Sequence, residues 1–267
     1  MNISGIIGFL MGLGLIVYGM IGQGDPLSGF INYPSMAIVI GGTFGALLIS
    51  FPFKIVKNSP KLLLMVLKPK KYDPKVYIDQ MVEYAKIARS KSLLALEDSA
   101  NECTDPFMKS SLMLIVDAND SDRVKAMLDD GIDFMCERHE ENWVFYEKMG
   151  AVAPGFGMIG TLVGLINMLA NLTDNSDGLG AGMSTALITT FYGCIIAHLI
   201  AAPIANRLKT IHAKELLCMQ IIEEGALAII SGANPRYIQE KLEFMLASSE
   251  INKKSKSKSK EKEEKGN

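Results

Sequence analysis

Few side chains that could bind an ion or a proton lie in the apolar stretches of this sequence. Thr161 lies near the middle of one stretch, and Thr189 and Thr190 lie near the middle of another. A threonine hydroxyl there can coordinate a cation or orient water, or it can donate to a carbonyl of its own helix. His198 is the only Asp, Glu, His, Lys or Arg in these stretches. It could relay protons, or it could be a neutral imidazole bonded to a neighbouring helix.

None of the apolar stretches contains a carboxylate. Asp25, Asp174 and Asp177 all fall in the polar segments between stretches. An ion path driven by protonation or by sodium binding normally uses a carboxylate inside the membrane. If this protein conducts ions, a partner chain must therefore supply the carboxylate.

Two prolines lie near matching ends of two apolar stretches. Pro154 is close to the start of the third stretch, and Pro203 is close to the end of the fourth. Each proline removes one backbone hydrogen bond and can kink its helix. Two bends at the same membrane level could transmit motion from the membrane to the cytoplasmic part. Alternatively, they could be kinks that only allow the helices to pack.

The elements that hold these residues are predicted from the distribution of charge. The chain has 267 residues and a formal net charge of −2, which argues against a basic nucleic-acid-binding protein. Residues 1–53 and 149–206 contain no lysine or arginine. A helix needs about 20 apolar residues to cross a bilayer. Four uncharged stretches meet this requirement: Ile3–Ile21, Pro34–Phe53, Ala151–Leu172 and Gly182–Ala205. We therefore predict an all-α polytopic membrane protein with four transmembrane helices.

The orientation follows from the lysines and arginines near the ends of these spans. Lys54 and Lys57 follow the second span, Lys148 precedes the third and Arg207 follows the fourth, whereas both short connections lack basic residues. Since cytoplasmic segments carry the excess of basic residues, both termini are predicted to be cytoplasmic. Residues 1–53 and 149–206 form the membrane domains. Residues 54–148 and 207–250 form helical cytoplasmic domains, and residues 251–267 form a disordered charged tail.

Glycine spacing predicts close contacts between the membrane helices. The G-x-x-x-G pattern occurs at Gly8/Gly12, Gly41/Gly45 and Gly160/Gly164. Small residues let helix backbones approach each other in lipid, so this spacing favours a tightly packed, oligomeric bundle, although glycine is common in such helices anyway.

One glycine motif resembles a nucleotide-binding fingerprint. The segment GFGMIG at 155–160 matches G-x-G-x-x-G. That motif requires a preceding strand and a turn that opens a helix, and here it lies inside an uncharged span. The sequence also lacks any nucleophile–base or metal-ligand constellation, so we predict no cofactor, no metal and no enzymatic reaction.

These features together resemble the MotA family of flagellar motor stator subunits, which includes the sodium-type PomA proteins. The resemblance rests on AVAPGFGMIGTLVGLI, LITTFYGCIIAHLIAAPIA, ARSKSLLALE and SGANPR, and it covers residues 1–246. TolQ and ExbB are relatives with one span before the large loop. This chain has two spans there, which favours the MotA family. An ExbB/TolQ-like energiser of outer-membrane transport is the alternative function.

The resemblance implies an inner-membrane stator that converts ion flow into torque for motility and chemotaxis. It implies a ring of five copies around two copies of MotB (A5B2), whose single span carries the missing aspartate. Threonines at Thr161 and Thr190 would line the path of H⁺ or Na⁺. Prolines at Pro154 and Pro203 would couple ion passage to movement.

The resemblance also implies a contact with the rotor protein FliG. The residues that match the family's rotor-contacting charges are Arg89, with Lys91 beside it, and Glu97. The presence of Thr161 leans towards sodium, but the choice between H⁺ and Na⁺ stays open.

Overall fold

The computed structural model of the chain describes residues 3–22, 27–117, 120–170 and 176–246. All regular elements within these ranges are helices, so the predicted all-α class is confirmed for the described part of the chain. The chain divides into two compact units. The apolar unit comprises Met1–Lys70 and Arg138–Ile211, and the charged unit comprises Lys71–Glu137 and His212–Asn267.

Four helices lie wholly in the apolar unit. They are α1 (Ile3–Ile21), α2 (Tyr33–Ser50), α3 (Phe53–Leu67) and α8 (Ser176–Cys194). Two longer helices, α7 (Ser121–Ala170) and α9 (Ala202–Ile230), contribute residues to both units. A π-helical segment, Ile195–Ala201, joins α8 to α9, and another, Ala37–Gly41, lies within α2.

The apolar helices confirm the membrane class of the chain. Among the described residues, three helical stretches are long and apolar enough to cross a membrane: Tyr33–Ser50, Ser121–Ala170 and Leu179–Ile230. The first predicted span is also helical, but its apolar part, Gly5–Ile21, is shorter. The exact number of four spans therefore stays a prediction. The predicted outward residues Asp25 and Asp174 lie outside the described residues, as does the predicted disordered tail.

The start and end of α2 have clear local causes. The Asn32 side chain accepts a hydrogen bond from the Ser35 backbone N–H at 3.0 Å, and Pro34 occupies the first turn, where its missing N–H costs nothing. The helix ends at Ser50 because Phe51 is extended and Pro52 follows it. The helix is therefore interrupted at Phe51 and Pro52, and α3 begins at Phe53.

The charged unit contains α4 (Pro74–Ser90), a 3₁₀ turn (Leu93–Ala95), α5 (Leu96–Glu102), α6 (Pro106–Asp117) and α10 (Pro235–Glu243). Parts of α7 and α9 complete it. Large aliphatic side chains fill one continuous core, in which Ile78, Leu112 and Ile221 are fully or almost fully buried. Burial of such side chains from water is the main stabilising contribution in a water-soluble fold.

The SGANPR segment, residues 231–236, contains a defined cap at the end of α9. Gly232 adopts a φ of 68°, in the left-handed region that glycine reaches without a steric penalty. The Ala233 N–H donates to the Ala228 carbonyl, and the Gly232 N–H donates to the Ile229 carbonyl. These two hydrogen bonds together form a Schellman motif, which ends α9. Asn234 then caps α10 by accepting a hydrogen bond from the Arg236 N–H.

Candidate functional site

The candidate site lies between α7 and α8, where glycines bring the two backbones together. A Cβ atom added at Gly164 would lie 2.7 Å from the Gly182 carbonyl oxygen and 2.8 Å from the Ala186 nitrogen. At Gly160 an added Cβ would overlap the Thr189 side chain. The predicted close approach at Gly160/Gly164 is therefore present within one chain. Around Gly8, Gly41 and Gly45, by contrast, no described heavy atom comes within 4 Å of such a Cβ.

The two threonines predicted to line the ion path meet at this interface. The Thr161 and Thr190 hydroxyl oxygens are 2.6 Å apart, although 29 residues separate them in sequence. Thr161 Oγ1 also lies 3.1 Å from the Gly157 carbonyl of its own helix and 3.1 Å from the Ala186 carbonyl of α8. Thr190 Oγ1 lies 3.4 Å from the same Ala186 carbonyl. The two hydroxyls thus bond to carbonyls of their own helices and also lie together in one oxygen cluster, while their role as ion ligands stays a prediction.

Thr189 faces a different environment from its neighbour. Its side chain is fully buried, packs against Gly160 and donates to carbonyls of its own helix, at 3.0 Å from Thr185 O and 2.9 Å from Ala186 O. Thr190 is exposed within the chain. Of the two adjacent threonines, only Thr190 therefore joins Thr161.

The chemistry of this cluster is that of neutral oxygen ligands. Two hydroxyl and two carbonyl oxygens can coordinate a hard cation or hydrogen-bond to water, but they carry no charge that would neutralise the ion. Among the described residues, no three His, Cys, Asp or Glu side chains lie together as a metal site. A carboxylate brought to the exposed side of Thr190 would complete such a site.

Of the two predicted coupling prolines, Pro154 lies at a contact between helices and Pro203 lies next to an irregular helical turn. Pro154 lies inside the uninterrupted helix α7, and a Cβ added at Gly193 of α8 would lie 3.1 Å from its Cα. Pro203 lies near the start of α9, directly after the π-helical segment Ile195–Ala201. A proline cannot donate a backbone hydrogen bond, which is one recognised cause of an irregular turn before it. His198 lies in that segment and is exposed within the chain.

A second polar cluster in the apolar unit was not predicted from the sequence. The Tyr192 hydroxyl donates to the Phe30 carbonyl at 2.5 Å, and the Ser35 hydroxyl donates to the Thr185 carbonyl at 3.4 Å. The Asn32 amide lies 3.4 Å from the Thr185 hydroxyl. These bonds tie the start of α2 to α8. The cap sequence Asn32-Tyr33-Pro34 was the available signal, but it indicates only a helix start.

The three residues predicted to contact the rotor are exposed on the charged unit. Arg89 lies in the last turn of α4, Lys91 follows that helix, and Glu97 lies in the first turn of α5. Their side chains form no hydrogen bond or ion pair with any other residue that the structure describes. Arg89 borders a cavity of about 200 Å³ whose other lining side chains are apolar, among them Ala88, Leu93 and Ile229. These charges are therefore available to a partner.

A buried acidic pair in the charged unit also escaped the sequence analysis. Glu223 on α9 is only 8% exposed. Burial, together with a hydrogen bond to Asp129 and its negative charge, raises the pKa of the Glu223 carboxyl to about 7. Lys125 acts in the opposite direction. Glu224, next to it, forms an ion pair with Lys241 at 2.5 Å.

The chain matches two family models that together cover most of its length. Residues 99–221 match the MotA/TolQ/ExbB proton channel family, and residues 6–92 match the Motility protein A N-terminal model.

Individual relatives show the same similarity over nearly the whole chain. Motility protein A of Borreliella burgdorferi is 37% identical over 250 residues, which is 94% of this chain and 96% of the relative. The uncharacterized protein YtxD of Bacillus subtilis is 37% identical over 253 residues, covering 94% of this chain and 92% of that protein. A solved structure of Campylobacter jejuni MotAB matches with a TM-score of 0.85 at 30% identity, covering 93% of this chain and 97% of that chain. With such identity across its full described length, the chain belongs to the MotA/TolQ/ExbB proton channel family and, within it, to the motility protein A group.

Proposed function

We propose that this chain is the A-type stator subunit of a bacterial flagellar motor. Together with a MotB-type partner it forms an ion channel in the inner membrane, and it uses ion flow to drive the rotor. The observation that carries this proposal is the match to motility protein A and to MotAB over more than nine-tenths of the chain. The match of residues 6–92 to the Motility protein A N-terminal model favours a stator over an ExbB- or TolQ-like energiser.

The Thr161–Thr190 cluster is the proposed path for the ion. Its oxygens lie on two apolar helices, and they provide ligands without charge. A MotB-type aspartate at this surface would supply the neutralising charge that the apolar helices of this chain lack. H⁺ and Na⁺ are both compatible with hydroxyl and carbonyl oxygens. No cofactor and no chemical reaction are needed for this role.

The remaining details of the assembly are proposals that rest on the family. We infer four spans with both termini in the cytoplasm, and a ring of five copies around two copies of the partner. Gly8 on α1 and Gly41 and Gly45 on α2, which have no packing neighbour among the described residues, support contacts between copies.

The proposed coupling to the rotor uses two sets of residues. Pro154 and Pro203 would change helix geometry during ion passage, and the π-helical segment before Pro203 supports this role because such turns can rearrange. The unpaired charges at Arg89, Lys91 and Glu97 would contact a FliG-type rotor protein.

Removing the two hydroxyls tests the ion path directly. In a stator-null cell that coexpresses the cognate MotB-type partner, the double variant Thr161→Val/Thr190→Val should lose ion-driven motility while the protein still accumulates in the membrane. Thr210→Val is the matched control, because Thr210 donates only to the Asn206 carbonyl of its own helix at 2.9 Å. Wild-type swimming speed in the double variant would contradict the proposed path. If the unaltered chain with its partner gave no motility, the stator function itself would be wrong.

The identity of the ion needs a separate measurement. Swimming speed should be followed against sodium concentration at fixed pH and fixed membrane potential. A sodium-driven stator responds to this change, and a proton-driven stator does not.

A further inference from the structure

Helix α3 (Phe53–Leu67) directly follows the apolar helix α2 and carries charge of one sign only. Residues 51–72 contain six lysines and no aspartate or glutamate. Within α3 the lysines are Lys54, Lys57 and Lys61, and Lys68 caps its end. All four are exposed, and none forms an ion pair with another described residue. Apart from the predicted orientation of the spans, nothing proposed above for the stator uses this concentration of charge.

One side of α3 is packed against the rest of the apolar unit. Leu62 is 7% exposed and lies in a cluster with Phe145, Tyr146 and Ile204. The Tyr146 hydroxyl donates to the Ser59 carbonyl at 2.7 Å. Pro60 cannot donate to the Val56 carbonyl, and the Ser59 hydroxyl donates to that oxygen instead, at 2.8 Å. The orientation of α3 is therefore fixed by buried contacts.

The lysines of α3 share a second side of the helix. Their positions differ by three, four and seven residues, and at 3.6 residues per turn this spacing places them in one row. The row is separate from the buried side, since Ser59 and Leu62 lie opposite or well away from it in the same helical repeat.

The third side of α3 is apolar and yet exposed. Phe53 is 71% exposed, Leu64 is 66% exposed and Leu67 is 38% exposed, and Pro60 is exposed between them. The spacings of seven, four and three residues place these side chains in one row beside the lysines. A helix with one packed side, one apolar exposed side and one basic side matches the interface of a bilayer, where acyl chains and phosphates lie next to each other.

We propose that α3 is an interfacial helix that binds anionic phospholipid through Lys54, Lys57, Lys61 and Lys68, with its exposed apolar row in the acyl region. The inference rests on the proposed membrane location of α2. The ammonium groups complement lipid phosphates that carry a net negative charge, and they discriminate against zwitterionic headgroups. Each lysine near an anionic surface contributes about fivefold in affinity. The lipid would hold the start of the long loop at a fixed depth.

The test measures lipid preference with the full chain purified in a neutral detergent. Phosphatidylglycerol and phosphatidylcholine are offered at equal mole fractions, and the ratio of the two bound lipids is determined by native mass spectrometry. We expect the wild type to prefer phosphatidylglycerol, and high salt to reduce the preference. The variant K54Q/K57Q/K61Q should lower the ratio at least tenfold, and K54R/K57R/K61R should retain it.

Matched controls separate lipid binding from other effects of charge. K86Q/K109Q/K214Q removes the same charge from exposed positions of the charged unit and should leave the ratio unchanged. An equal loss in this control, an unchanged ratio in K54Q/K57Q/K61Q, or displacement of the lipid by millimolar inorganic phosphate would each overturn the proposal. The lipid ratio does not depend on motility, so a failed stator function and a failed lipid site give different results.

Discussion

The two units of the molecule obtain close packing by opposite means. In the apolar unit, α7 and α8 approach where side chains are absent, and Gly164 faces the Gly182 carbonyl and the Ala186 nitrogen. In the charged unit, helices are held together by large side chains, and Leu112, Ile115 and Met108 are fully buried. A glycine occurs there too, but Gly225 faces the Met81 side chain rather than a backbone.

The difference follows from the surroundings of each unit. Water drives aliphatic side chains into a core, so the charged unit is stabilised by buried area. Lipid is as apolar as leucine and gives no such drive, so helices in it associate through close backbone contact and hydrogen bonds. The apolar unit accordingly leaves many large side chains exposed, including Leu162, Ile166 and Leu187. The same substitution should therefore have different effects in the two units.

The largest effect is expected from truncating the core of the charged unit. Leu112→Ala removes a fully buried side chain and leaves a cavity, and it should lower the free energy of unfolding by about 2–5 kcal/mol. Leu187→Ala in the apolar unit, where the side chain is 67% exposed, should have little effect on stability. Thermal unfolding of both variants in detergent measures the difference, and equal losses would show that buried area does not distinguish the units.

A smaller loss of stability is expected from adding one methyl group at the glycine interface. Here the cause is an added atom that overlaps its neighbours, not a cavity. Gly164→Ala places a Cβ 2.7 Å from a backbone oxygen that cannot move alone, and it should destabilise the protein by about 1–3 kcal/mol. Gly225→Ala is the matched control in the charged unit. Its Cβ would lie 2.7 Å from Met81 Cε, 3.0 Å from Cγ and 3.1 Å from Cβ. These are all side-chain atoms, and a methionine side chain can shift more easily than a backbone, so a smaller loss is expected. If both variants lose equal stability in the same unfolding assay, rigid backbone contact is not what distinguishes the interface.

The third effect concerns charge and depends on pH. An unfolded glutamate titrates near pH 4.3, whereas burial and Asp129 raise the pKa of folded Glu223 to about 7. Between these values the folded protein keeps a proton that the unfolded chain releases, so stability falls as pH rises and levels off above about 7. Glu223→Gln removes this loss, so it should stabilise the protein above pH 7 and have little effect below about pH 4.

Unfolding at pH 5 and pH 8 measures this pH dependence. The control is Glu83→Gln, which alters an exposed glutamate on α4 and should leave the difference between the two pH values unchanged. A Glu223→Gln variant with the same pH dependence as the wild type would show that this carboxyl is not the source.

The sequence predicted helices well because their signals are local. Charge-free runs indicated the apolar helices. The sequence could not predict which of the two adjacent threonines, Thr189 or Thr190, joins Thr161 of α7. Neighbouring residues of a helix point in directions about 100° apart around its axis, and the position of the partner helix decides between them. The pairing of Glu223 with Asp129 was likewise invisible, since 94 residues separate them and each reads as an ordinary charged position.

The spacing of residues in α3 already contained an apolar row and a lysine row. Only the structure shows that α3 is separate from α2. Pro52 was the available signal. A lysine cluster after a span indicates the orientation of the span equally well on a helix or in a loop. The division of α3 into packed, basic and exposed apolar sides could be recognised only once the buried residues were known.

The π-helical segments have a consequence for how relatives of this chain should be aligned. A π turn accommodates one residue more than an α turn over the same length of helix. A relative that lacks one residue within Ala37–Gly41 or Ile195–Ala201 could keep every helix-to-helix contact beyond the segment by adopting a regular α turn there. A one-residue gap inside an apolar helix of this family is then a change of local winding, and the threonines and prolines on either side of it remain equivalent positions.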